Sequence, residues 1–226
     1  MFRQPILILV PALLFLGQTL GANEPARRHR ARLSFEVRLQ DYAGLQKGSL
    51  DQATATAGAV FKRAGVIVEW VDCTPTNADI DERCKNRLGK QVRVLRILSP
   101  EMTAKIAQTG IEFGRAMLVE NGSRGTYASV YWQRVKELAG GRAGILGLGL
   151  DIVPMRLKEA RILGYVLAHE LGHLFGNHHS KVGVMHGPWS PSELAEVLRG
   201  TLRFRKTEER HIRLSVTRSV EELAAD

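Results

Sequence analysis

Residues 156–175 constrain this chain more than any other stretch. Leu163, Leu167, Leu171 and Leu174 form one apolar stripe at helical spacing, and Ile162, Val166, His169 and His173 form a second on a different face. A helix that is apolar on two faces has to be covered on both. The spacing therefore predicts a helix running through the middle of the protein, and Gly176 stands where such a helix closes with a left-handed residue. The same helix carries His169 and His173 four positions apart, which stacks them one turn apart on one face. Two imidazoles are thus aimed at one point from a buried, rigid element.

The full string is His169-Glu170-Leu171-Gly172-His173-Leu174-Phe175-Gly176-Asn177-His178-His179. Zinc takes neutral histidine nitrogen at about 2.0–2.1 Å and favours tetrahedral geometry. A third ligand has to come from beyond the straight helix, and Gly176 permits the sharp turn that returns the chain. Spacing favours His179 over His178 for that role, leaving His178 as a solvated or supporting residue. Three protein ligands leave one position for water, the arrangement of a catalytic zinc site. Glu170 follows the first ligand directly, so its side chain is expected to point to that open position, take a proton from water and pass it to a leaving amine. These parts suit hydrolysis of a peptide bond, with one Zn2+ as cofactor and peptides or proteins as substrates.

The short pattern H-E-x-x-H occurs by chance; the longer H-E-x-x-H-x-x-G-x-x-H resembles the metzincin metalloproteases. The likeness is firm over about residues 156–190 and looser over 33–132. It implies a methionine turn beneath the metal, for which Met185 in Val184-Met185-His186-Gly187 is the candidate, the alternative being a plain core methionine. The short connection from His179 to Met185 looks closest to the matrixin-like branch. By the same resemblance, the strand containing Thr126, Tyr127, Ala128 and Ser129 is the candidate cleft edge, where an extended peptide would add as a further strand. Its other reading is an ordinary sheet strand. Gly187, Pro188 and Trp189 are candidates for the wall of a substrate pocket, with Trp189 alternatively a packing anchor. Two departures stand out. Gly187 occupies the place where some metzincins carry a tyrosine, and no cysteine precedes the domain to act as a latency switch.

The rest of the chain reads as a twisted mixed sheet with helices, an α/β (α+β) class with a small helical lobe after His179. Residues 33–39 alternate apolar and polar like a half-buried strand. Ser49 and Gln52 match a capping box opening a helix that Gly65 stops. Val66–Val71 and Lys90–Leu98 read as strands, giving the strand–helix–strand order of parallel neighbours joined by a crossover. Arg115–Glu120 and Thr126–Trp132 are two more strands separated by a 121–125 loop, and Gln133–Ala139 is a short helix. Ser190-Pro191-Ser192-Glu193 carries the cap, first-turn proline and returning glutamate of a helix start. Thr207 with Glu208 and Glu209 opens a last short helix. The glycines between 140 and 149 match neither a Walker loop nor G-x-G-x-x-G, and no G-x-S-x-G elbow occurs.

Residues 1–22 have the layout of a secretory signal peptide: Arg3, an apolar run from Pro5 to Gly17, and small residues at Gly21 and Ala22. An uncleaved anchor is the alternative. Export would place the protein in a periplasm or outside the cell. There Cys73 and Cys84, with ten residues between them, read as a disulfide, against two buried thiols. The formal charge is +9, and Arg27, Arg28, His29, Arg30 and Arg32 concentrate part of it in a basic lead-in over 23–32. Such a run is most often a solvated linker; specific nucleic-acid binding is not expected of an exported chain, and a monomer is. The domain is then 33–226. The competing readings are a zinc-holding module without turnover and a cell-surface-binding module using the basic lead-in.

Overall fold

The computed structural model describes residues 33–77, 80–106, 112–118, 125–141 and 153–224. The proposed signal peptide and basic lead-in, most of the 121–125 loop and the glycine-rich 142–149 stretch lie outside them.

Five strands form one sheet: β1 (Ser34–Asp41), β2 (Ile67–Asp72), β3 (Val92–Leu98), β4 (Gly114–Met117) and β5 (Tyr127–Tyr131). Their order across the sheet is β2-β1-β3-β5-β4, parallel throughout except for β4, which runs antiparallel to β5. The crossover expected from the strand–helix–strand order is α1 (Lys47–Arg63), between the parallel neighbours β1 and β2. That helix starts two residues before Ser49. Ser49 N–H and Leu50 N–H both donate to the Gln46 carbonyl, and the helix has no side-chain cap. The Ser49–Gln52 capping box therefore does not form, because both residues already lie inside the helix.

The chain continues through α2 (Pro100–Ile106) and α3 (Trp132–Gly140) to α4 (Met155–Leu174), then α5 (Pro191–Arg199) and α6 (Lys206–Ala224). As its two-sided stripe requires, α4 is buried along nearly its whole length. Ile162, Leu163, Leu167, Leu171 and Leu174 are fully enclosed, joining Val37, Leu95, Ile97 and Val130 of the sheet and Ala53, Ala57 and Phe61 of α1 in one core. Enclosing one leucine side chain contributes roughly 1.5–3 kcal/mol, so these helix residues anchor α4 firmly. The two helices approach closely at Gly164, where a methyl would stand 2.6 Å from the Ala53 carbonyl oxygen. At its far end Phe175 packs edge-on against Phe35 (4.7 Å between centroids) and Phe61 (6.0 Å). This ties the end of the histidine helix to the sheet and to α1.

α5 begins as its sequence indicates, with the Ser190–Glu193 capping box, Pro191 in the first turn and Gly200 at the end. α6 is far longer than the short helix expected, at 19 residues. Its enclosed apolar residues are Ile212 and Val216, and the other buried positions are the polar Glu208, Glu209, Ser215 and Ser219, so its apolar periodicity is faint. Tertiary bonds help hold it, including Arg213 Nη1 to the Ala64 carbonyl at 2.7 Å. Cys73 and Cys84 form a disulfide with their Cα atoms 5.6 Å apart. No helix among the described residues is long and apolar enough to cross a membrane.

Candidate metal centre and cleft

His169 and His173 leave α4 on one face. After Phe175 the backbone turns at Gly176, whose φ is +85°, and the chain returns to bring His179 beside them. The three ring nitrogens available for ligation lie within 4.8 Å of one another. His169 Nε2 is 3.0 Å from His173 Nε2 and 3.3 Å from His179 Nε2. Three nitrogens tetrahedrally disposed about zinc at its usual bond length stand ~3.3 Å apart, so the spacing fits that ion. His178 is exposed and outside the cluster.

The donor chemistry points the same way. His169 Nδ1 lies 2.7 Å from the Val184 carbonyl, and His173 Nδ1 lies 2.7 Å from the Asn177 carbonyl. A carbonyl only accepts, so each Nδ1 carries the hydrogen and each Nε2 presents a lone pair. Two lone pairs facing each other at 3.0 Å repel unless a cation lies between them or a ring is protonated. Protonation is opposed: burial, with His173 nearby, lowers His169 to about 3, and burial lowers His173 as well. Neutral imidazoles fixed by backbone acceptors are the state in which histidine binds a metal.

Glu170 is 3% exposed and lies against β4. A methyl on Gly114 would stand 2.7 Å from Glu170 Oε1, so only glycine leaves room for the carboxylate there. Burial, and secondarily Glu112, push its carboxyl up to about 8. A cation held by the triad would draw that value back down by charge attraction. Glu170 opens onto a cleft of about 270 Å³ that it shares with His173, His178, His179 and the β4 segment, including Gly114, Arg115 and Leu118.

This corrects the edge-strand assignment. β5, with Tyr127, Ala128 and Ser129, pairs with β3 on one side and β4 on the other, and Thr126 immediately precedes it. Its backbone is therefore committed. Among the described strands the free edge next to the histidines belongs to β4. Sequence order alone hides this, because β4 precedes β5 in the chain yet lies outside it in the sheet. Gly114, Arg115 and Glu112 had no sequence signal that would have marked them.

Met185 is fully buried and packs under α4 at Gly172, where a methyl would lie 2.4 Å from its sulfur. The loop that carries it closes with Ser180 N–H on the Met185 carbonyl (3.0 Å). Gly187, joined to Pro188 by a cis peptide, borders the triad: a side chain there would stand 3.6 Å from His169 Cε1 and 3.9 Å from His179 Nε2. Trp189 stacks on Phe113 (5.9 Å, 19°), lies edge-on to Tyr165 and His169, and reaches the Val184 carbonyl through Nε1 (3.4 Å). Its observed contacts are those of a packing anchor joining the methionine loop to the lead-in of β4.

No protein-family model and no curated protein sequence matches the chain. Among solved structures, it is similar to archaemetzincin from Methanopyrus kandleri, with a TM-score of 0.43, 18% identity and coverage of 85% of this chain and 98% of that one. It is similar to a zinc-dependent peptidase from Methanocorpusculum labreanum (TM-score 0.45, 17% identity, 78% and 99% coverage). It is also similar to metalloproteinase-II from Bacteroides fragilis (TM-score 0.46, 12% identity, 82% and 54% coverage).

Proposed function

We propose that this chain is an exported zinc-dependent endopeptidase of metzincin type. His169, His173 and His179 hold the ion, and Glu170 is its general base and acid. The observation that carries this reading is the convergence of three imidazoles, two of them locked by backbone carbonyls with their lone pairs facing one another. Zinc, when bound, supplies Lewis acidity, polarising a peptide carbonyl and making water a better acid. An extended substrate adds to the free edge of β4, which lays its backbone across the histidines. Glu170, against Gly114, is placed between that edge and the triad. Its carboxylate accepts the proton of the attacking water and delivers it to the departing amide nitrogen. The short His179–Met185 connection supports the matrixin-like branch. The Cys73–Cys84 disulfide supports export, since such bonds persist in oxidising compartments.

The test is Glu170→Gln, which keeps the shape and removes the base. Hydrolysis of a peptide library should fall by about 10²–10⁴-fold, while metal analysis still finds one zinc per chain. Full activity in this variant would refute the assigned base. Zinc binding without hydrolysis by the wild type would instead favour a zinc-holding module.

A further inference from the structure

The tautomer of His169 depends on one acceptor, the Val184 carbonyl, and Val184 lies in an irregular loop. Something has to hold that loop against α4. The backbone supplies part of the answer through Val184 N–H to the Arg203 carbonyl and His186 N–H to the Gly183 carbonyl, both at 3.0 Å. Trp189 Nε1 reaches the Val184 carbonyl itself (3.4 Å), and most of the other side-chain bonds to the loop converge on one residue of α5. Glu193 Oε1 accepts from Gly183 N–H (2.8 Å). Glu193 Oε2 accepts from Ser190 N–H (2.9 Å) and the Ser190 hydroxyl (2.8 Å), and pairs with His186 Nδ1 (2.6 Å).

A capping box explains only the Ser190 contacts. The bonds to Gly183 and His186 lie beyond it, and those two residues bracket Val184 and Met185, which touch the histidine helix. Glu193 is 7% exposed. Burial works against its ionisation but is outweighed by the hydrogen bonds from Ser190, His186 and Gly183, which hold it at about 2. Charge-assisted bonds of this kind are roughly twice as strong as neutral ones.

We propose that Glu193 is a positioning residue for the metal centre: by clamping the 183–190 loop it presents the Val184 carbonyl to His169 Nδ1 and seats Met185 beneath α4. The role rests on the reading of the triad as a zinc site, and the experiment separates the two. Wild type, Glu193→Gln and Ser190→Ala are compared by thermal unfolding of the metal-free proteins and by the rate at which bound zinc passes to excess chelator. A third readout is the ring-nitrogen NMR spectrum of metal-free His169. Glu193→Gln turns one acceptor into a donor facing N–H groups. It should speed zinc release about tenfold, the low end of effects seen when a partner of a metal-ligating histidine is lost. It should also lower the fraction of His169 protonated at Nδ1. Ser190→Ala removes the helix cap and one donor to Glu193 but leaves its bonds to Gly183 and His186; it should lower the unfolding temperature and shift the other two readouts by less than Glu193→Gln.

Zinc release and His169 tautomer unchanged in Glu193→Gln would overturn the proposal, as would equal changes in Ser190→Ala, since Glu193 would then be only a helix cap. If wild type binds no zinc, the metal reading fails, and the metal-free His169 spectrum still decides the clamp. Should Glu193→Gln not fold, His186→Ala withdraws one donor from the same carboxylate and should shift the same readouts in the same direction by less.

Discussion

Replacing Gly172 by alanine sets two known effects against each other at the centre of the site. The added methyl would stand 2.4 Å from Met185 Sδ, 3.3 Å from Met185 Cε and 3.2 Å from Phe204 Cε1. Carbon contacts are optimal at about 3.5–4.0 Å, so the thioether has to retreat by roughly 1 Å. Met185 is fully enclosed and Phe204 nearly so, so the retreat moves the loop as well as the side chain. Alanine for glycine within a helix contributes about 1 kcal/mol in favour of the variant. Forcing a methyl into a filled core costs about 1–3 kcal/mol. The net loss, ~0–2 kcal/mol, is too small to unfold the protein. Zinc binding is the sharper readout, because the displaced loop includes the Val184 carbonyl that fixes His169. Competitive chelation should show zinc bound about tenfold more weakly. Gly164→Ala is the control: its methyl meets the Ala53 carbonyl oxygen and Thr56 Cβ, each at 2.6 Å. Backbone cannot swing aside, so this variant should lose more stability with zinc affinity unchanged. A Gly172→Ala protein that gains stability and binds zinc like wild type would refute the packing of Met185 beneath the histidines.

Other consequences are open to direct measurement. Gly114→Ala places a methyl 2.4 Å from the Ser129 carbonyl oxygen and 2.7 Å from Glu170 Oε1; kcat/KM should fall while zinc content is retained, and undiminished turnover would separate β4 from the chemistry. Without metal, Glu170 is raised from 4.5 to about 8, so the folded chain keeps a proton that the unfolded chain releases. Its contribution is therefore full below about pH 4.5 and is lost as pH rises through about 8. His169, lowered from 6.5 to about 3, acts oppositely: its contribution is present above 6.5 and lost as pH falls through about 3. The Glu170 slope thus stands clear of His169 between about pH 6.5 and 8. Chemical denaturation of metal-free wild type should show stability declining across that window, and Glu170→Gln should flatten the decline.

Much of the site could be read from local pattern. Leu163, Leu167, Leu171 and Leu174 announce a helix enclosed on two sides, and the structure buries it. The i, i+4 spacing puts His169 and His173 on one face, and Gly176 supplies the turn before His179. Ser190 to Glu193 specifies the start of α5 within four residues. These features depend on neighbours in sequence, so periodicity and capping rules reach them. The Ser49–Gln52 pair shows the limit, for an equally good local signal lost to a helix that begins at Lys47.

The amino-acid order by itself determined the spacing of His169, His173 and His179, the place of Glu170 beside the first of them and the buried helix that carries His169, Glu170 and His173. Tertiary structure decided the rest. The free edge passed to β4 because the sheet order β2-β1-β3-β5-β4 encloses β5. Gly114 met Glu170, and the Val184 and Asn177 carbonyls set the histidine tautomers. The capping glutamate of α5 became the clamp of a loop ten residues upstream. The physical reason is that hydrogen bonding and steric fit act over a few ångströms in space. Groups far apart in the chain acquire such partners only when the packed core sets the distances between them.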